Sequence, residues 1–290
     1  MGPLRTGSGL DAAFERLASA GFELPNGFVN HGPMACEALD VLGVDADLEG
    51  WAGRFAHVRH GVEVVPLVDP AGFDGANSLG DYRRLPEWIG FFDSSIRVDG
   101  WEAVVATWVP RLIPAFASKL FHGAIRTAHA TRAVSESDTT ARRAELARAL
   151  GYWAARFSRG MPASVVEEPD TMRALLDVAA AAARRYVEDA NIFTLHGVTG
   201  AMAAELLIPH VAETARLELL ARVRSDHEAF YGEEASPLVG QPTELDWHAI
   251  AVAASGSRDA HQVKLVEACR RGATSTGDPA FAVAAALVTA

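Results

Sequence analysis

Most of the second half of this chain consists of Ala- and Leu-rich segments, and their periodicity constrains the fold more than any other feature. Apolar residues recur at intervals of three and four, which is the repeat of one face of an α-helix. The pattern predicts helices over residues 10–22, 31–44, 140–157, 171–189 and 199–224. The fold class that follows is mainly α: a single-domain helical bundle over residues 1–290.

The remaining segments carry weaker signals. Residues 51–80 have no helical period, and their only strand-like run is VEVVPLVDP. Pro-, Gly- and Glu-rich composition marks residues 158–170 and 226–246 as linkers. The C-terminal AFAVAAALVTA is too short to cross a membrane and is expected to form a buried helix.

Charge and cysteine content exclude several classes of function. A net charge of −11 argues against a surface that binds nucleic acid or an anionic membrane. We expect no apolar run near the roughly 18 residues of a membrane span. The N-terminus lacks the apolar core of a secretory signal, and Cys36 and Cys269 form no C-x-x-C pair. These features predict a cytoplasmic protein and leave its oligomeric state open.

The common cofactor and catalytic motifs are absent from the sequence. There is no G-x-G-x-x-G after a strand, no P-loop and no G-x-S-x-G nucleophile elbow. Neither H-E-x-x-H nor the E-x-x-H of di-iron bundles occurs. NADPH is still possible as a reductant, although no motif for it is present.

Four of the ten histidines lie in apolar, helix-like contexts beside small residues. These contexts are FVNHGPM with His31, FHGAIRTAHA with His122, FTLHGVTG with His196 and DAHQVKL with His261. A single buried histidine is more often a core residue than a metal ligand. Four such contexts in one helical chain strengthen the case for a shared metal centre.

A second pattern follows His122 along the same segment. His122, Arg126 and His129 are spaced i, i+4 and i+7, so they share one helix face. Arg126 and His129 are therefore candidates for orienting the ligands or the substrate from outside the ligand set. The alternative is a structural polar stripe. We expect solvent exposure for His57 and His60, and structural roles for His210, His227 and His248.

Lys264 is one of only two lysines among 26 basic residues, and it lies three residues after His261. On a helix the two side chains are neighbours. A buried lysine with a lowered pKa is neutral and can react with carbon dioxide, which gives a carbamate that offers an anionic oxygen to a metal. Arginine stays protonated and cannot form this ligand. The alternative is an ordinary surface lysine, which is what we expect of Lys119.

At four segments the sequence resembles the questin oxidase-like family, whose fungal members oxidise or open anthraquinone rings in polyketide pathways. The segments are NHGPM followed by EALDVLG, LFHGAIRTAHA, FTLHGVTGAMA and DAHQVKL, in this order from residue 30 to 265. The resemblance implies a single questin oxidase-like domain over residues 1–290 and an iron ion held by four histidines and a carboxylated lysine. Residue by residue, the implied ligands are His31, His122, His196, His261 and the Lys264 carbamate.

The favoured function is a non-haem, Fe(II)-dependent oxygenase that acts on an aromatic, polyketide-like small molecule with dioxygen. Another divalent metal is possible, since imidazoles also suit Zn, Cu and Ni. Trp88, Phe91 and Phe92 are candidates for the wall of an aromatic pocket, with core packing as the alternative. A metal-dependent hydrolase is less favoured because the chain has no H-x-H and no β/α alternation. A non-catalytic helical binding protein would keep the histidines as core residues.

Overall fold

The computed structural model describes residues 8–58, 75–232 and 245–289. These ranges form α-helices, short 3₁₀ turns and no β-strand, as the periodicity predicted. The helices are α1 Ser8–Leu17, α2 Gly32–Leu42, α3 Leu48–Ala56, α4 Gly75–Ser78, α5 Leu85–Asp99, α6 Trp101–Leu112, α7 His122–Glu136, α8 Thr140–Ala155, α9 Thr171–Glu188, α10 Ile192–Leu207, α11 Glu213–Tyr231, α12 Trp247–Ser257, α13 Ala260–Thr276 and α14 Pro279–Thr289.

Side-chain caps explain several of the helix starts. Asp170 accepts a hydrogen bond from the backbone N of Arg173 at the start of α9. Asn191 and Thr194 form a reciprocal capping box at the start of α10. Asp259 caps α13 by accepting from the backbone N of His261. Each cap satisfies amide groups that a helix start otherwise leaves without partners.

Three parts of the sequence-based prediction differ from the structure. The predicted helix over 199–224 is wrong, because α10 ends at Leu207 and a turn through Pro209 separates it from α11. The linker prediction fails for residues 226–231, which continue α11, and α3 occupies the start of the supposedly irregular 51–80. The VEVVPLVDP run lies outside the described residues.

A single apolar core joins the helices, and α2, α7, α10 and α13 pack against one another within it. Residues Ile192–His210 form a 19-residue apolar stretch of mean hydropathy 1.3, so the expectation that no run reaches membrane-span length is wrong. This stretch is 72% buried inside the fold, and burial in the core accounts for its composition.

Candidate metal centre

The rings of His31, His122, His196 and His261 come together at one point between α2, α7, α10 and α13. The Nε2 atom of His122 lies 2.6 Å from Nε2 of His31 and 3.1 Å from Nε2 of His196. One ring nitrogen each from His31, His196 and His261 lies within 4.8 Å of the others. The ring centroid of His261 is 4.3 Å from that of His31. The four histidines singled out from the sequence thus form one cluster, which we call the histidine cluster.

All four histidines stand in or next to the first turns of their helices. His31 immediately precedes α2, His122 opens α7, His261 is the second residue of α13 and His196 is the fifth of α10. The amino ends of four helices therefore point at the cluster, and each helix end carries a partial positive charge. A cation held among these histidines would therefore need an anionic ligand as well.

Hydrogen bonds at Nδ1 define which nitrogen of each ring is free. The carbonyl of Lys119 lies 2.5 Å from Nδ1 of His122, and the carbonyl of Ile192 lies 2.6 Å from Nδ1 of His196. A carbonyl only accepts hydrogen bonds, so both Nδ1 atoms carry the proton and both Nε2 atoms present lone pairs to the cluster. Asp259 holds Nδ1 of His261 in the same way at 3.2 Å. A carboxylate or carbonyl behind the ring is the usual support of a metal-binding histidine.

Burial keeps these imidazoles neutral. It lowers the pKa of His122 to about 3 and, together with the charge on Lys264, holds the pKa of His31 and His196 well below the ordinary value. Two lone pairs then face each other across 3.1 Å between His122 and His196. That arrangement is repulsive unless a cation lies between the nitrogens. Metal–nitrogen bonds of about 2.1 Å would place adjacent ligand nitrogens about 3 Å apart, so the spacing fits a shared ion.

Lys264 lies in the same part of the core and is completely buried. Its Nζ has no hydrogen-bond partner among the described residues, and burial lowers its pKa to about 7. The surface-lysine alternative is therefore wrong for Lys264. It does describe Lys119, whose side chain is one-third exposed and lies near Glu23. A buried amine without a partner is costly, which points to a ligand or modification at this atom.

The turn before His122 is strained. Lys119, Leu120 and Phe121 have φ angles of 51°, 54° and 66°, in the left-handed region that residues with a Cβ rarely adopt. This turn directs the Lys119 carbonyl onto the His122 ring. Strain of this kind persists where the surrounding fold enforces it and is concentrated at functional sites.

The glycines beside the histidines provide room for aromatic side chains. A Cβ on Gly32 would meet Phe55 at 2.8 Å, one on Gly123 would meet Trp153 at 2.8 Å, and one on Gly197 would meet Tyr231 at 2.9 Å. At these three positions the absence of a side chain lets large rings pack directly beside the histidines.

A buried ionic layer crosses the same four helices about two turns below the histidine cluster. The Glu37 carboxylate accepts hydrogen bonds from the Arg132 guanidinium at 2.6 Å and lies 2.5 Å from Nδ1 of His129. Arg132 also donates to Glu267 at 2.5 Å, and Arg271 joins Glu267 to α10. The layer consists of Glu37, His129, Arg132, Glu205, Glu267 and Arg271.

Ion pairs of this layer join α2, α7, α10 and α13 to one another. Burial opposes ionisation of Glu267, but the charges of Arg132 and Arg271 outweigh it and hold its pKa well below the ordinary value. The pKa of Glu37 is also lowered, because the effects of Arg132 and His129 outweigh that of burial. Both carboxylates are therefore ionised at neutral pH. The layer was not predicted, because its members are scattered between residues 37 and 271 with no shared motif.

The structure separates Arg126 and His129 from the histidine cluster. Arg126 donates to both oxygens of the Glu145 carboxylate, at 2.6 and 2.9 Å, and its guanidinium stacks on Phe22. It fastens α7 to α8, so the structural alternative holds for Arg126 and the ligand-orienting role predicted for it is wrong. His129 belongs to the ionic layer, which lies behind the cluster.

Trp88, Phe91 and Phe92 form an aromatic group apart from the histidine cluster. Their rings pack against one another and against Trp108, with centroid separations between 5.1 and 6.0 Å. Trp88 and Phe92 have no exposed surface. The prediction that they wall a substrate pocket is wrong, and core packing explains them.

A cleft of about 550 Å³ opens onto the histidine cluster, since His31 and His261 both line it. Its apolar wall includes Phe28, Phe55 and Val58, and its polar rim includes Arg54, His57 and Arg258. A volume of this size accommodates a small-molecule ligand. A larger cleft of about 850 Å³ between α9 and α11 contains none of the four histidines, so the smaller one is the candidate substrate site.

Asn30 connects the segments that line this cleft next to the histidine cluster. Its side-chain amide donates to the carbonyls of Gly21 and Phe55, and its Oδ1 accepts from the backbone N of Gly32. One residue thus joins the end of α3, the loop after α1 and the turn that carries His31. The NHGPM segment drew attention to His31 in the sequence, but nothing there indicated the role of Asn30.

Comparison with known proteins adds no family assignment. No protein-family model matches the sequence, and no curated protein matches it. The resemblance to the questin oxidase-like family stays a prediction from four short segments, and functional argument rests on the geometry of the site.

Proposed function

We propose that His31, His122, His196, His261 and Lys264 hold one iron ion, and that the protein is a non-haem iron oxygenase for an aromatic small molecule. The observation that carries the proposal is the pair of facing Nε2 atoms on His122 and His196, 3.1 Å apart on neutral rings. A shared cation turns this repulsive contact into a pair of adjacent ligands. The unpartnered nitrogens at Nε2 of His261 and Nζ of Lys264 add two further donors.

The charge balance of the site supports a carbamate on Lys264. The four histidines are neutral and the helix amino ends are positive, so a dication there lacks an anionic ligand. Asp259 is the carboxylate nearest in sequence to His261, and it already forms hydrogen bonds with the backbone N and the ring Nδ1 of that histidine. The neutral amine adds to carbon dioxide and releases one proton, which converts Nζ into a carbamate with a negative charge. Water exclusion at this fully buried position protects the product.

A nitrogen-rich set with one anionic oxygen suits iron. Bound Fe(II) would supply dioxygen binding and activation. The protein's own residues would position the reactants: Phe28 and Phe55 offer faces for an aromatic ring, and His31 and His261 form the end of the cleft nearest the metal. Substrate enters from the cytoplasm in this proposal, and neither nucleic acid nor membrane takes part.

The proposal is tested by metal analysis and oxygen uptake on the same preparations. Protein produced in iron-supplemented medium should contain about one iron per chain, and alanine at any of the four histidines should lower occupancy sharply. Dioxygen consumption with aromatic substrates separates an oxygenase from a metal-dependent hydrolase. Wild-type protein that retains no Fe(II), Zn(II) or Ni(II) after loading would leave only the non-catalytic binding protein.

A further inference from the structure

Two arginines, Arg54 and Arg258, line the cleft that opens onto the histidine cluster. Elsewhere in the described residues, arginines are commonly paired: Arg132 with Glu37, Arg142 with Asp11 and Arg156 with Glu23. Within the described residues, Arg54 and Arg258 form no ion pair with a carboxylate, and Arg54 instead contacts the Trp51 ring and the Arg258 carbonyl. The protein carries a net charge of −11, so acidic residues are plentiful. What distinguishes Arg54 and Arg258 among the described arginines without an ion pair is that both line this cleft.

The two arginines are held next to each other. Arg54 donates through Nη2 to the backbone carbonyl of Arg258, and its guanidinium stacks on Trp51 at 4.0 Å from the ring centroid. Burial and the nearby charge of Arg258 lower the pKa of Arg54. Like charges in proximity repel, so the pair gains from an anion placed between them.

The pair also lies close to the metal centre along the chain. Arg258 precedes His261 by three residues, and it takes the left-handed conformation, φ 63°, that ends α12. Phe55, the residue after Arg54, packs against Gly32 beside His31. A ligand that contacts both arginines would thus lie along the cleft with its other end towards His31 and His261. Asp259 also lines the cleft, but its carboxylate is occupied by His261.

We infer that Arg54 and Arg258 form an anion-recognition site that selects an aromatic substrate bearing a carboxylate and orients it towards the metal. The apolar wall at Phe28 and Phe55 receives the ring, and the guanidiniums receive the anionic oxygens. Guanidinium groups bind carboxylates through charge-assisted hydrogen bonds, which are stronger than neutral ones. This inference deepens the proposed function, because it takes the same cleft as the substrate site.

The test is calorimetric binding to chelator-treated protein, so that neither the metal nor catalysis contributes to the result. The probes are naphthalene-2-carboxylate and its neutral carboxamide, which differ in charge but hardly in shape. The carboxylate should bind wild-type protein more tightly than the amide, and its affinity should fall with added salt. Arg54→Gln and Arg258→Asn should each weaken carboxylate binding about tenfold and leave amide binding unchanged.

Controls separate recognition from misfolding. Asparagine tolerates the left-handed conformation at position 258, and glutamine keeps a donor for the Arg258 carbonyl at position 54. Arg97, which is exposed on α5, provides the matched control, and Arg97→Gln should change neither affinity. Equal binding of the two probes to wild-type protein, no binding of either, or equal weakening of both in the variants would overturn the inference. An iron-free protein that still prefers the carboxylate would uphold it even if the iron proposal fails.

Discussion

Replacing Lys264 by methionine should stabilise the metal-free protein and abolish metal binding. The reason is that Lys264 is completely buried and its Nζ has no partner among the described residues. Methionine has a similar length, is uncharged and leaves no unsatisfied donor. In the absence of metal and carbon dioxide, the native lysine is a cost to the fold.

The magnitude follows from the lowered pKa. Burial takes the pKa of Lys264 from 10.5 to about 7, so between these two pH values the unfolded chain binds a proton that the folded chain lacks. The buried Lys264 amine therefore lowers the free energy of unfolding by about 4 kcal/mol at pH 7 and by about 2 kcal/mol at pH 9. Stability therefore rises with pH across this window, and the benefit of Lys264→Met shrinks in step.

The assay is thermal unfolding of chelator-treated protein in buffer depleted of carbon dioxide. A gain of about 4 kcal/mol corresponds to roughly 7 °C in Tm for a chain of this size. Lys119→Met is the control, because Lys119 is partly exposed and near Glu23; its Tm should hardly change. In iron-loaded protein at ambient carbon dioxide the order should reverse, with Lys264→Met the less stable. If Lys264→Met is equally destabilising with and without metal, the reasoning about an unpartnered amine is refuted.

Three further predictions concern the surroundings of the centre. His122→Ala should lose iron, whereas His129→Gln should retain it because His129 contacts Glu37 and not the cluster; equal iron loss in both would contradict this. Glu267→Gln should lower the free energy of unfolding by about 3 kcal/mol in urea titrations, since it leaves a buried arginine undercompensated; a change below 1 kcal/mol would show that the ionic layer is solvated. Iron affinity should fall as the pH drops through about 7, where the Lys264 amine becomes protonated and carbamate formation stops; affinity constant from pH 8 to 6 would exclude the carbamate.

Periodicity was sufficient to predict the helical class and several helix positions, but not α3, α5, α6 or α12. The Ala- and Leu-rich runs over 140–157 and 171–189 became α8 and α9 almost residue for residue. The break at Pro209 was missed, because the apolar period continues through the turn on both sides. The apolar repeat shows which face of a segment is buried. It does not distinguish one long helix from two consecutive helices such as α10 and α11.

The histidines were identified from their apolar contexts, and their convergence needed the fold. Spacing places residues on one face only within a single helix, as for His122 and Arg126. Residues on that face have different partners in the fold: His122 contacts His31 in the cluster, whereas Arg126 binds Glu145 on α8. The cleft residues Arg54 and Arg258 lie 204 positions apart in the chain, so no local motif could have joined them. The aromatic run at Trp88 was misassigned because a core cluster and a pocket wall have the same composition.

The most direct measurement of the central claim is a crystal structure of iron-supplemented protein with diffraction data collected on both sides of the iron absorption edge. The account predicts one anomalous peak between Nε2 of His31, His122, His196 and His261, with continuous density beyond Nζ of Lys264 that fits a carbamate. An empty histidine cluster with the His31–His122 contact unchanged, or a peak bound elsewhere, would contradict it.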